Sequence, residues 1–82
     1  MLEIAHTYKT NFLSIPVVIP IKQLGINRAL FVVPNRAPFA FVAWYYQRSE
    51  NNPEILDIYS GEYFNSLERA LQVLCPDEYK PN

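Results

Sequence analysis

The chain has one imidazole, His6, and one thiol, Cys75, as its candidates for nucleophile and base chemistry. A reactive thiolate needs a neighbouring base or a positive electrostatic setting. Cys75 ends an apolar helical run, where the helix dipole is negative and opposes a thiolate. The expectation is an inert, partly buried cysteine. One His and one Cys do not close a tetrahedral zinc site without borrowing carboxylates, and Asp77 and Glu78 adjoin Cys75 only in sequence. Glu54 with Asp57, or Asp57 with Glu62, are the remaining acid–base pairs to weigh. On a strand, Glu54 and Asp57 face opposite sides because their spacing is odd, and solvated surface is the expected place of all three. Gly25 and Gly61, the only glycines, stand too far apart to build a phosphate-cradling loop. The residues therefore predict no catalytic group, no metal ligands and no cofactor. The expectation is a protein that is not an enzyme.

What the chain does carry is recognition chemistry. Phe39 to Arg48 reads FAFVAWYYQR and is apolar on both strand faces. Phe39, Phe41, Ala43 and Tyr45 share one face; Ala40, Val42, Trp44 and Tyr46 share the other. A half-exposed strand alternates apolar with polar, and this one does not. Each face needs a cover. Protein interfaces favour Trp, Tyr and Arg as anchors. The candidate interaction residues are Trp44, Tyr45 and Tyr46, with Arg36 and Arg48 at the ends of the run and Tyr59 and Tyr63 beside the acidic stretch. Against each stands the plainer role of a core aromatic with its hydroxyl at the rim, and for Trp44 the core role is the stronger.

The elements that must position these residues are read from periodicity and punctuation. Residues 2–9 alternate, as a first strand or a frayed arm. Phe12 to Ile21 is rich in β-formers, but Pro16 and Pro20 cannot donate to a ladder, so an edge strand or an extended crossing segment is expected. Gln23 to Asn27 is a turn. Ala29–Val33 and Phe39–Arg48 form a hairpin around a loop with Pro34 and Pro38 at its shoulders. Glu54–Tyr59 is the next strand, ended by a bend at Ser60–Glu62. Leu67, Ala70, Leu71 and Leu74 recur at helical spacing, with Asn65 as N-cap, Glu68 completing a capping box and Pro76 as the stop. The fold class is α+β: one domain over residues 1–82, a small antiparallel sheet of three to five strands, and one C-terminal helix packed on one face. A helix is about 10–12 Å wide and strands sit about 4.8 Å apart, so one helix shields about two strands. The second face must be covered by the N-terminal third or by another molecule.

Composition bounds the function classes. Half of the 82 residues are hydrophobic, 15% are aromatic and only 18% are charged. That argues against disorder and favours a surface partly covered by a partner. No run is long enough to span a bilayer, no signal peptide is evident, and a single cysteine excludes an internal disulfide. A cytoplasmic protein without membrane contact is expected. Residues 1–48 hold five basic side chains and one acid; residues 49–82 hold two basic side chains and seven acids. This asymmetry fits two halves that attract each other when folded better than it fits a charged partner. The residues point first to a small accessory, regulatory or inhibitory protein that binds another protein or forms a homodimer. The alternative is nucleic-acid binding through the Arg-bearing hairpin, with Arg36 at the loop tip and Tyr45 or Tyr46 stacking on bases. The pI near 5.7 speaks against it.

Overall fold

The computed structural model describes residues 1–34 and 40–78. Five strands are followed by one helix: β1 (Tyr8–Phe12), β2 (Ile15–Gln23), β3 (Arg28–Val32), β4 (Phe41–Arg48), β5 (Ile55–Phe64) and α1 (Leu67–Leu74). Each strand pairs antiparallel with the next. The sheet then closes on itself, with β1 beside β5. In an up-and-down order, odd-numbered strands run the same way, so an odd count can close only through a parallel pair. Lys9 and Thr10 meet Ile55 and Leu56 in that parallel register.

Closure answers the question of the doubly apolar strand. The even residues of β4 point inward, and the barrel's opposite wall covers them. Val42, Trp44 and Tyr46 share a buried cluster with Tyr8, Ile15 and Val18 from the first two strands, Ala29 and Phe31 from β3, and Leu56 and Ile58 from β5. Val33 and Leu2 complete it. The odd residues point outward. There Ala43 forms a second buried cluster with Leu30, Phe64 and Ala70 of the helix, flanked by Ile21, Leu24, Phe41, Leu71 and Leu74.

Several local expectations are corrected. The first strand begins at Tyr8 rather than Leu2, after a turn at Ile4 and Ala5. The second is not an edge strand: it pairs with both neighbours. Pro16 and Pro20 are tolerated because strand residues address their two neighbours alternately. Both prolines address the β1 side. Pro16 falls at the register shift between Lys9 and Phe12, and Pro20 lies beyond the Val18 partner of Tyr8, where β1 has not begun. Neither is asked for a ladder N–H, and the Pro20 carbonyl still accepts from Ala5 N at 2.8 Å.

The bend expected at Ser60–Glu62 is a β-bulge within a continuous strand. Ala43 pairs with Glu62 but Tyr45 pairs with Tyr59, so Trp44 faces two residues, Ser60 and Gly61. Ser60 has φ 53°, as a bulge with a left-handed first residue requires. The extra residue reverses which side chains point out. Leu56 and Ile58 fill the interior before the bulge; after it, Phe64 joins the outer cluster. The helix cap is Ser66 rather than Asn65: its hydroxyl accepts from Arg69 N at 3.1 Å. Glu68 then falls in the first turn, favourable for the dipole, and accepts from Gln72 Nε2 at 3.3 Å instead of closing a capping box.

Candidate interaction surface

The register across three strands sets one outward row. Arg28 of β3 pairs with Tyr45 of β4, and Tyr45 pairs with Tyr59 of β5. The two tyrosine rings stack with centroids 5.9 Å apart and planes 21° apart. The Arg28 guanidinium carbon lies 5.1 Å from the Tyr45 ring centre, and its Nη2 donates to Glu62 Oε1 at 3.2 Å. Tyr45 is 37% exposed and Tyr59 46%. Leu30 and Ala43 are buried in one cluster with Ala70 of the helix, whereas the two tyrosines keep solvent contact. Side chains on adjacent strands that stack this way hold their rotamers before any partner arrives, so less entropy is lost on binding.

The other sequence candidates separate. Trp44 and Tyr46 point into the barrel and are buried. Tyr46 accepts from Gln23 Nε2 at 2.6 Å and donates to the Ile26 carbonyl at 3.3 Å, which satisfies its hydroxyl. Tyr63, half-exposed, meets the Trp44 ring edge-on at 6.1 Å on the inward side. Arg48 lies 5.5 Å from the Tyr8 ring centre and donates to the carbonyls of Pro53 and Met1 at 3.0 and 2.9 Å. It is a tie between chain segments. Arg36 lies outside the described residues. The structure thus brings Tyr45 and Tyr59 together and places Trp44, Tyr46 and Arg48 in supporting positions. It adds Arg28 to the row. Arg28 is one of the hairpin arginines weighed for nucleic acid; its place beside Tyr45 follows from a pairing register that the sequence does not report.

Polar side chains of the first half meet acids of the second. Lys22 Nζ lies 2.9 Å from Glu78, Arg28 3.2 Å from Glu62, and His6 Nε2 2.5 Å from Glu54. The hydrogen bond and charge of Glu78 raise the Lys22 pKa above its ordinary 10.5. Cys75 is a free, partly exposed thiol. Among the described residues no three His, Cys, Asp or Glu side chains are grouped to hold a metal ion, and no helix is long and apolar enough to cross a membrane. Two open grooves lie away from the tyrosine pair. One runs between β2 and the helix end, lined by Lys22, Leu24, Cys75 and Glu78; the other is lined by Met1, Leu24 and Ile26. No protein-family model, curated protein or solved structure matches the chain.

Proposed function

We propose that the chain is a non-enzymatic protein-interaction module, a small cytoplasmic accessory or regulatory protein that docks a protein partner on the row Arg28–Tyr45–Tyr59. The observation that carries this reading is the stacked, solvent-facing tyrosine pair. Two preordered aromatic rings with a guanidinium beside them match the composition of interface anchors. The barrel core does not need them, because its interior is filled from the opposite side of each strand.

Nucleic acid is the less supported partner. Arg28 and Tyr59 come from strands on either side of Tyr45, so a base would have to displace one of them to stack there. Lys22, Arg28 and Arg48 are already engaged by carboxylates or carbonyls. Backbone amide spectra recorded with candidate protein partners, and at rising concentration of the chain itself, test the proposal. Shifts should cluster on Arg28, Tyr45, Tyr59 and their neighbours, and Tyr45→Ser with Tyr59→Ser should weaken association at least about tenfold, as loss of interface anchors does. Association that maps elsewhere and survives both substitutions would sink the proposal. Saturable oligonucleotide binding at low salt would favour the alternative.

A further inference from the structure

The outward row is a stack with two unlike ends. At one end the protein supplies its own cation. The Arg28 guanidinium carbon lies 5.1 Å from the Tyr45 ring centre, within cation–π range, and Nη2 donates to Glu62 Oε1 at 3.2 Å. Tyr45 then stacks on Tyr59 with centroids 5.9 Å apart. At the other end the stack stops. The face of Tyr59 turned away from Tyr45 meets no further ring and no cation among the described residues, and Tyr59 is 46% exposed.

The topology explains the gap. A ring on a strand is flanked by the residue opposite it on the next strand. β1 runs parallel to β5, with Lys9 opposite Ile55 and Thr10 opposite Leu56. Carried on to Tyr59, that register reaches Leu13, one residue past the end of β1. Leu13 lies in the turn to β2 and is fully exposed, so it does not pack on the ring. The Asn11 side chain is engaged with the backbone, where its Oδ1 accepts from Ile58 N at 3.1 Å. Beside the open face stands a carboxylate without a partner. Asp57 precedes Tyr59 by two residues on the same strand, so both point outward. It is exposed and forms no ion pair or side-chain hydrogen bond among the described residues; Lys9, on the neighbouring strand, leaves it unpaired.

We infer that the protein docked on the row supplies an arginine, whose guanidinium lies on the open face of Tyr59 with Asp57 as its counter-ion. This partner chemistry rests on the row being a docking surface. The seat repeats the one the protein builds for Arg28, an aromatic face with an acid beside it; here the cation comes from outside. A planar guanidinium stacks on a tyrosine ring while pairing with a carboxylate, which a compact, strongly hydrated ammonium does less well. The carboxylate that favours a basic segment also repels phosphate, so it works against nucleic acid at this ring.

Titration of the full chain with the peptide Arg-Gly-Arg-Gly-Arg at low salt, followed by backbone amide and tyrosine ring resonances, tests the seat. Shifts should centre on Asp57, Tyr59 and Tyr45 and saturate in the millimolar range. Citrulline in place of each arginine keeps the planar group but removes its charge, and should weaken binding about three- to tenfold. Asp57→Asn should weaken it about two- to fivefold, and Tyr59→Ser should abolish it. Asp57→Lys should transfer the preference to Glu-Gly-Glu-Gly-Glu. Equal binding of the arginine and citrulline peptides, indifference to Asp57→Asn, or a Tyr59 ring unmoved up to about 10 mM peptide would each overturn the arginine seat. So would an oligonucleotide that shifts Tyr59 where the arginine peptide does not. The docking row is judged separately: a protein partner that maps to Arg28, Tyr45 and Tyr59 yet ignores Asp57→Asn keeps the row and removes the arginine, and one that maps elsewhere removes both.

Discussion

A Cβ added at Gly61 would collide with Trp44 Nε1 and lie 2.8 Å from Trp44 Cδ1 and 3.2 Å from Val42 Cγ1. The indole is almost fully buried against Phe31 and Tyr63 and has no space to retreat. Gly61→Ala should therefore destabilise the barrel by about 1–3 kcal/mol, the range for overpacking a filled core. At Gly25 a Cβ meets nothing within 4 Å, so Gly25→Ala should stay within about 0.5 kcal/mol of the parent. Urea unfolding of the two variants reads the contrast; equal midpoints would mean that the indole moves freely and that the bulge does not hold it. The two glycines look alike in the sequence. What separates them is the approach of a side chain seventeen positions away, which no local pattern reports. The tyrosine row has the same limit. Tyr45 and Tyr59 stand out as aromatics, but their stacking, and the place of Arg28 beside them, depend on the register of β3, β4 and β5, which shifts at the bulge.

At the scale of elements, periodicity was the dependable guide and termini were not. The spacing of Ala70, Leu71 and Leu74 gives the helix, and the doubly apolar run from Phe41 to Tyr46 gives a strand buried on its inner face and, at Ala43, on its outer face too. Asn65 and Ser66 are both good caps by residue type. The choice falls to Ser66 because Phe64 must reach the outer cluster from the end of β5, which sets where the helix begins. Ser66→Ala should then cost about 1 kcal/mol, within the usual range for a lost cap, while Asn65→Ala should cost little. Thermal melts of the two variants check this, and the reverse order would move the cap back to Asn65. The prolines of β2 misled for a related reason. A missing N–H excludes a paired strand only where a neighbour calls for it, and here the alternation of hydrogen-bonding sides places both prolines where none does.

At the scale of the whole molecule, closure of the sheet and pairing of opposite charges bring the two halves of the chain together. The basic first half and acidic second half meet at Lys22–Glu78 and Arg28–Glu62, and His6 is hydrogen-bonded to Glu54. Lys22–Glu78 ties β2 to the segment after the helix, and its pH dependence follows from the direction of the lysine shift. The Glu78 hydrogen bond, then its charge, raise the Lys22 pKa above 10.5. The folded state therefore holds the proton more tightly than the unfolded chain. The resulting stabilisation is complete below 10.5 and disappears as pH rises through the elevated folded-state value. Melting temperatures of the wild type and Lys22→Gln should differ by a constant amount from about pH 7 to about pH 10 and converge at higher pH. The difference should also shrink in molar salt, since the pair lies at the surface. A gap that persists above the lysine titration and ignores salt would show that the methylene stem of Lys22 does the stabilising rather than its charge.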